Sequence, residues 1–131
     1  AKDGKFKEAT GPLRQALKLM GNRSHLLRME LAKVIVEGGD LAQYDEAIRI
    51  LEVSMDTRPD DIGGHRTLAR AYAAKGRVAE ADVAMAQANL AGGDRKQAVI
   101  FAQRAQRALP NGSRAWLKAD DIIKTTPKSS Y

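Results

Sequence analysis

The chain contains no cysteine, and its 131 residues include only one Trp, three Tyr and two Phe. The absence of cysteine excludes a disulfide scaffold, a thiolate zinc site and cysteine-based catalysis. The longest uninterrupted apolar stretch, Ala98 to Ala102, is far shorter than the ~20 residues with which a helix spans a bilayer, so we expect no membrane span. We expect no signal peptide among these residues. Because the sequence begins with Ala1 rather than methionine, we expect it to be a piece of a longer protein, with targeting information upstream.

Basic residues outnumber acidic ones by 22 to 16, which gives a net charge of +6. Nucleic-acid binding proteins cluster their cations on one face or run, often beside stacking aromatic residues. Here the basic residues are spread from Lys2 to Lys128 with acids between them, and the aromatic residues do not alternate with them. We therefore predict no nucleic-acid partner. The length suits a single domain, which we place at 1–124, followed by a tail at 125–131.

Glycine and proline divide the chain into segments of helical length. The breaks fall at Gly21, Gly38-Gly39, Pro59, Gly76, Gly92-Gly93, Pro110 and Gly112. Between them apolar residues recur every three or four positions, as Leu27, Leu31 and Ile35 do, which is helical spacing. The prediction is an all-α fold with helices near 7–20, 24–37, 43–56, 62–75, 78–91, 94–108 and 113–124.

Polar residues at the breaks indicate where helices begin. Ser24 and Ser113 precede helical runs, and Asp94 stands three residues before a glutamine in the manner of a capping box. One boundary is harder to place, because Pro12 falls inside the first helix and lacks a backbone donor. We expect that helix to be kinked, or to restart with Thr10 as its cap.

An internal repeat is visible near the start of alternate helices, where an acidic or amide residue precedes alanine. The pairs are Glu8-Ala9, Glu46-Ala47, Glu80-Ala81 and Gln97-Ala98. Ala47 and Ala81 lie 34 residues apart, and Ala98 follows 17 residues later. A 34-residue period made of two helices is that of the tetratricopeptide repeat (TPR). The chain thus resembles a TPR-like right-handed superhelix of about seven antiparallel helices, closed by a C-terminal capping helix.

Two stretches carry the TPR resemblance residue by residue. The first matches through Leu31, Ala32, Ile35, Gly39, Tyr44, Ala47, Leu51 and Pro59, with Leu41-Ala42-Gln43 as an insertion, and the second through Leu68, Ala69, Tyr72, Gly76, Ala81, Met85 and Ala88. The next unit follows after only half a period, so the helix at 78–91 must serve both as the second helix of one repeat and the first of the next. We interpret the repeated alanines as sites of close helix packing rather than of chemistry.

No catalytic or metal-binding constellation is recognisable. His25 and His65 are 40 residues apart and neither lies in a His-Glu-x-x-His segment, which would place two zinc ligands on one helical face. Asp60 and Asp61 follow a proline and suit turn and cap roles. We therefore assign this piece no catalytic residue, no metal ligand and no cofactor.

The first helix of each pair lines the groove in TPR arrays, and its outward positions are the candidate site. By the register above these are Met29, Lys33, Val36, Arg66, Arg70, Gln87 and Leu90. Arg66 and Arg70 lie one turn apart and, with Lys33, would form a positive groove for acidic peptide segments. The alternative is that these are ordinary solvated residues of amphipathic helices.

Trp116 and Ile123 are the large apolar residues of the last helix. We expect them to anchor that helix as a lid over the apolar face of the last repeat. The alternative for Trp116 is an exposed hot spot for a partner.

The chain also resembles a narrower family, the C-terminal region of BepA-like bacterial zinc metallopeptidases. The residues that carry this resemblance are Leu68-Ala69-Arg70-Ala71-Tyr72, Lys75-Gly76-Arg77, Glu80-Ala81-Asp82, Ala86, Gly93-Asp94, Leu109-Pro110-Asn111-Gly112-Ser113 and Trp116-Leu117-Lys118-Ala119-Asp120-Asp121-Ile122-Ile123. In that family a His-Glu-x-x-His protease domain precedes the repeats. The zinc ligands and catalytic glutamate lie outside these residues, so none is carried over.

The family resemblance implies a periplasmic or membrane-peripheral protein. Its repeats would recruit envelope-protein substrates or outer-membrane assembly components for the zinc-dependent protease domain. The alternative is a stand-alone TPR adaptor that binds acidic peptide segments, in which case a cytoplasmic location is equally compatible. Self-association is plausible in either case, since an end helix of the array can leave its apolar face uncovered.

Overall fold

The structure is a computed structural model that describes the backbone of residues 2–21 and 24–125 and the side chains of residues 10–21 and 24–125. Within these ranges all secondary structure is helical and no strand occurs, as predicted. The helices are α1 (Lys2–Leu19), α2 (His25–Gly38), α3 (Tyr44–Thr57), α4 (Ile62–Ala74), α5 (Val78–Ala91), α6 (Arg95–Ala108) and α7 (Arg114–Thr125). Of the predicted tail at 125–131, Thr125 instead ends α7, and residues 126–131 lie outside the described residues, as do the side chains of the Glu8-Ala9 pair.

Side-chain caps set the beginnings of the helices. Four backbone amides near helix starts donate to the residue before the helix: Leu27 N to Ser24 Oγ at 3.2 Å, Gly64 N to Asp61 Oδ1 at 3.0 Å, Gln97 N to Asp94 Oδ1 at 3.1 Å, and Trp116 N to Ser113 Oγ at 3.3 Å. Each of these amides has no partner within its own helix, so the cap replaces a hydrogen bond that water would otherwise make. The predicted caps at Ser24, Asp94 and Ser113 are therefore confirmed.

The first helix differs from its prediction. It begins at Lys2 rather than near residue 7 and continues through Pro12 to Leu19, so the expected restart is wrong. Thr10 lies inside the helix and is buried instead of serving as a cap. Proline removes one backbone donor. Leu13 and Leu17 pack against the core and stabilise the part of the helix that follows Pro12.

Consecutive helices pack against each other throughout the described residues, and among alternate helices the most extensive contacts are those of α2 with α4 and of α5 with α7. Contacts between alternate helices are typical of the helices that line the inner side of a TPR array. The pattern shifts phase at α5, which packs to a similar extent against α4 and α6. This arrangement agrees with the double role predicted for the helix at 78–91.

The interior consists of two apolar clusters. The larger spans α1 to α5 and includes Leu31, Ile35 and Leu51, and the smaller joins α5, α6 and α7 around Ala102 and Ile122. The fully buried positions of α6 are spaced four and three residues apart, and all of them are alanine: Ala98, Ala102 and Ala105. Small side chains at these positions allow α6 to lie close to its neighbours.

The predicted insertion forms a short 3₁₀ helix, Leu41–Gln43, between α2 and α3. Asp40 caps it, since its Oδ1 accepts a hydrogen bond from Ala42 N at 3.1 Å. Arg14 of α1 reaches the same region and donates to both carboxylate oxygens of Glu46 at 2.7 Å and to Gln43 Oε1 at 2.7 Å. The insertion therefore helps to attach α1 to the start of α3.

Candidate functional site

A cleft of about 220 Å³ opens between α3, α4, α5 and α7. Its floor is apolar and consists of Met55, Leu68, Val83 and Ala84. Its polar lining residues are Glu52, Asp56, His65, Tyr72, Glu80, Gln87, Arg114 and Lys118. An apolar floor with a polar rim is typical of sites that hold a side chain of a ligand or partner. We call this site the interhelix cleft.

One side of the interhelix cleft is closed by ion pairs between α3 and α7. Arg114 Nη2 donates to Asp56 Oδ2 at 2.8 Å, and Lys118 Nζ lies 3.5 Å from Asp56 Oδ1. Asp56 and Arg114 are exposed and Lys118 is half-buried at the rim, so the pairs contribute only about 0–1 kcal/mol each. They connect the two helices at the rim of the cleft, where two cations share a single carboxylate.

At the other side the cleft is bordered by a hydrogen-bonded group around Tyr72. Its hydroxyl donates to Glu52 Oε2 at 2.5 Å, and the guanidinium of Arg77 lies 4.7 Å from the centre of its ring. Arg77 also donates to both carboxylate oxygens of Glu80. Burial, followed by the hydrogen bond to Glu52, raises the pKa of Tyr72 far above its usual value. The phenol is therefore a fixed donor and not a base.

His65 lies at the bottom of the interhelix cleft and is almost fully buried. Its Nε2 donates to the carbonyl oxygen of Pro59 at 2.8 Å, which fixes the tautomer because a carbonyl can only accept. Burial lowers the pKa of His65, and the hydrogen bond to Pro59 offsets this only in part. The imidazole is thus neutral at physiological pH and joins the α3–α4 turn to α4.

The described part of the chain contains no group of three or more His, Asp and Glu side chains placed to hold a metal ion. The carboxylates of the cleft are already engaged by Tyr72, Arg77, Arg114 and Lys118. What the arrangement offers is a surface for recognition.

The structure changes the predicted groove at four of its seven positions. Met29 and Val36 were expected to be outward, but only 6% and 4% of their surfaces are exposed and both belong to the larger apolar cluster. That expectation is wrong because neighbouring helices cover these positions of α2. Leu90 is half-buried and packs against the smaller cluster. Gln87 is half-buried and lines the interhelix cleft.

The three predicted cations of the groove are all exposed. Arg66 and Arg70 lie on a different side of α4 from His65, Leu68 and Tyr72, which line the cleft. The structure therefore separates this arginine pair from Gln87.

Lys33, the third cation, has acidic neighbours on its own helix. Glu30 and Glu37 lie three residues before it and four after it, on the same exposed face of α2. The surface of α2 is accordingly mixed in charge, and an uninterrupted positive groove does not form.

Sequence reasoning missed the interhelix cleft. Asp56 and Arg114 are 58 residues apart, and Glu52 and Tyr72 are 20 apart, so no local motif unites them. The one available signal was the half-period step at α5, since a phase shift in the array changes which helices meet.

The last helix is anchored differently from the prediction. Ala119 and Ile122 are buried in the smaller cluster, and Ile123 packs against it as expected. Trp116 is only half-buried and lies beside Gln103, Gln106 and Arg107 of α6. The apolar lid thus consists of other residues of α7, and the indole borders a surface hollow.

None of the helices in the described ranges has the length and apolarity needed to cross a membrane. No curated protein shows a significant match to the chain. Residues 40–98 match the family described as "Tetratricopeptide repeat". The matched segment covers the 3₁₀ insertion, α3, α4, α5 and the start of α6. Residues 40–98 are thus similar to tetratricopeptide repeats, and the all-helical stack is consistent with a helical repeat array of that kind.

Proposed function

We propose that this domain is a non-catalytic protein-binding module and that the interhelix cleft holds a segment of its protein partner. Stacked helical repeats generally present extended surfaces to other proteins. The observation that carries the proposal is the cleft itself, an open site with an apolar floor and a charged rim between helices of two different repeats.

The lining of the cleft defines the kind of segment it would hold. An apolar side chain would rest on Met55, Leu68 and Val83. A carboxylate of the partner would approach Arg114 and Lys118, because these two cations have only one carboxylate between them in the rim. The proposed ligand is therefore a short peptide segment in which an apolar residue neighbours an acidic one.

We further propose that the domain recruits or positions protein substrates for a zinc-dependent metalloprotease domain of the same protein. The support is the resemblance of the run from Gly112 to Ile123, and of the repeats before it, to BepA-like metallopeptidases. Zinc would belong to the protease domain. The partners would be envelope-protein substrates or outer-membrane assembly components, and the location would be periplasmic or membrane-peripheral. A full reading frame that encodes a signal peptide and a His-Glu-x-x-His helix is the expected result, and one lacking both would refute this part.

A stand-alone adaptor is the second candidate function. It is favoured by the exposure of Arg66 and Arg70, which stand one turn apart on α4 and would hold acidic segments away from the cleft. The two candidates place the partner on different surfaces, so one experiment separates them.

The experiment is site-specific photocrosslinking of the full-length protein in its native cell. A photoreactive residue at Gln87 reports on the cleft, one at Arg66 reports on the arginine pair, and one at Arg49, exposed on α3, is the control. We expect a protein adduct at Gln87 and none at Arg49. An adduct confined to Arg66 would replace the cleft by the arginine pair, and identical adducts at all three positions would contradict a defined site.

A substitution tests the same site independently. Gln87→Trp places a large ring at the half-buried mouth of the cleft and should reduce capture of the crosslinked partner by about tenfold or more. The double charge reversal of Arg66 and Arg70 to Glu should leave capture through the cleft unchanged.

A further inference from the structure

The net positive charge of the protein arises from residues 95–119. This stretch contains no Asp or Glu, and its cations are Arg95, Lys96, Arg104, Arg107, Arg114 and Lys118. These six charges equal the net charge of +6 of the whole chain. The acid-free stretch covers α6 and most of α7. The interleaving of acids and bases expected from the sequence therefore does not extend to this part of the protein.

Half of these cations are engaged within the fold. Arg104 donates to both carboxylate oxygens of Asp82 at 3.0 and 2.7 Å, and Arg114 and Lys118 share Asp56. The other three are exposed, and the ion pairs found among the described residues do not involve them. These three are Arg95, Lys96 and Arg107. Their charges are thus available at the surface.

Two of the available cations lie on one stripe of α6. Lys96, Ile100, Gln103 and Arg107 follow one another at intervals of four, three and four residues, which places them on the same side of the helix. All four are exposed, and Ile100 leaves 49% of its surface open. We call this stripe, together with Trp116, the α6 face.

Trp116 extends the α6 face onto α7. With Gln103, Gln106 and Arg107 it lines a shallow hollow between the two helices. Two acids flank the acid-free stretch, and both are engaged. Asp120 accepts a hydrogen bond from Gln106 at 3.0 Å and pairs with Lys124 at 2.8 Å, and Asp94 accepts one from Gln97 N at the start of α6 at 3.1 Å. The α6 face itself contains two cations and no acid.

We propose that the α6 face docks an acidic amphipathic helix of a protein partner. Lys96 and Arg107 are eleven residues apart, a rise of about 16 Å, or three helical turns. Carboxylates near both ends of a helix of that length would meet the two cations, while its apolar side chains would cover Ile100 and Trp116 between them. The basis for this occupant is complementarity of charge at both ends and of apolar surface in the middle.

A nucleic acid or a membrane fits the α6 face less well. Stacking of bases needs an open aromatic ring, whereas Trp116 is half-buried against α6. Insertion into a lipid surface needs a broad apolar face, whereas Gln103 interrupts the stripe beside Ile100. A protein helix that has both carboxylates and apolar side chains matches the cations and apolar residues of the α6 face.

The α6 face is separate from the interhelix cleft. Arg114, Ala115 and Lys118 of α7 line the cleft, while Trp116 borders the hollow on the side of α6. Helix α7 therefore lies between the two surfaces, and each can be tested with the other intact.

The test measures binding of a labelled helical peptide of glutamate and leucine, with leucines at three- and four-residue spacing, by fluorescence anisotropy. The competing probes are the same peptide with glutamine for glutamate, a single-stranded oligonucleotide and vesicles of anionic phospholipid. We expect saturable binding of the acidic peptide alone. Tighter binding of the oligonucleotide or of the vesicles, or no binding of the acidic peptide, would overturn the proposal.

Variants locate the bound peptide. Lys96→Glu combined with Arg107→Glu should weaken binding by about tenfold or more. Gln103→Glu, which adds one negative charge to the face, should also weaken binding. The matched control, Arg49→Glu with Arg58→Glu, reverses two exposed charges on α3 and the turn after it. Equal losses in the two double variants would show a response to net charge only and would overturn the assignment to the α6 face. Circular dichroism checks that every variant remains helical.

Discussion

Asp56 of α3 and Arg114 of α7 form an ion pair of 2.8 Å although they are 58 positions apart in the chain. This contact brings the last helix back to the middle of the repeat array, where it becomes a wall of the interhelix cleft. The shape of the proposed binding site therefore depends on how α7 is held.

Asp56→Asn should loosen α7 without unfolding the protein. Since both partners are exposed, the free energy of unfolding should fall by about 0–1 kcal/mol. Hydrogen exchange of the amides of α7 should nevertheless become faster, because Arg114 and Lys118 lose their shared carboxylate. Asp60→Asn, in the exposed turn just after α3, is the control. Unchanged exchange in α7 would show that the apolar contacts alone position the helix.

Tyr72→Phe should lower the free energy of unfolding by about 1 kcal/mol near neutral pH, because Glu52 loses a buried donor. The change should also alter the alkaline limit of stability. The pKa of Tyr72 is raised by burial, so above about pH 10 the unfolded chain releases a proton that the folded one keeps. The contribution of this phenol is thus complete below about pH 10 and is lost above it.

Urea unfolding from neutral pH to above about pH 10 measures this effect. The phenylalanine variant should show a shallower alkaline decline than the parent. Glu52→Gln keeps an acceptor for the hydroxyl and should retain most of the decline. Parallel alkaline declines in the parent and in Tyr72→Phe would contradict the link between burial and ionisation.

His65→Gln should reduce the sensitivity of the fold to acid. Burial lowers the pKa of His65, so below about pH 6.5 the unfolded chain takes up a proton that the folded chain does not, and stability is lost as pH falls. The variant lacks this proton uptake. Denaturant midpoints measured above and below about pH 6.5 should therefore differ less in the variant than in the parent. The same change at His25, in the first turn of α2, controls for the loss of any histidine.

Ala102→Leu tests the close approach of α6 to its neighbours. Ala102 is fully buried in the smaller cluster, so the added atoms should overpack it and lower the free energy of unfolding by about 1–3 kcal/mol. Ala108→Leu adds the same atoms at an exposed position of the same helix and should have little effect. Thermal or urea unfolding compares the two, and equal effects would contradict the tight packing of α6.

The helical layout could be predicted because its signals are local. Breaks at glycine and proline, caps such as Ser24 and Asp94, and the 34-residue spacing of alanines each depend on neighbouring residues alone. The half-period step at α5 was also visible in the spacing. The predicted helix restart at Pro12 is wrong because the packing of the residues after Pro12 outweighs the hydrogen bond that proline removes. A local sequence pattern contains no information on that packing.

The site was harder to predict because it depends on which helices meet. Met29 and Val36 occupy positions that a regular array leaves open, yet here neighbouring helices bury them. The repeat register predicts a groove position for Gln87, whereas in the structure Gln87 lines the interhelix cleft. The exposed charges of Arg66 and Arg70 were foreseen, but their separation from the cleft was not.

Helix α5 contributes to both apolar clusters. Ala81 and Ala84 belong to the larger one, whereas Val83 and Ala86 belong to the smaller. Opposite sides of one helix thus complete two apolar clusters. If either cluster unfolds, one side of α5 loses its packing partners. The two parts of the array should consequently unfold as one cooperative unit, and loss of α7 would weaken the larger interior through a helix that both share.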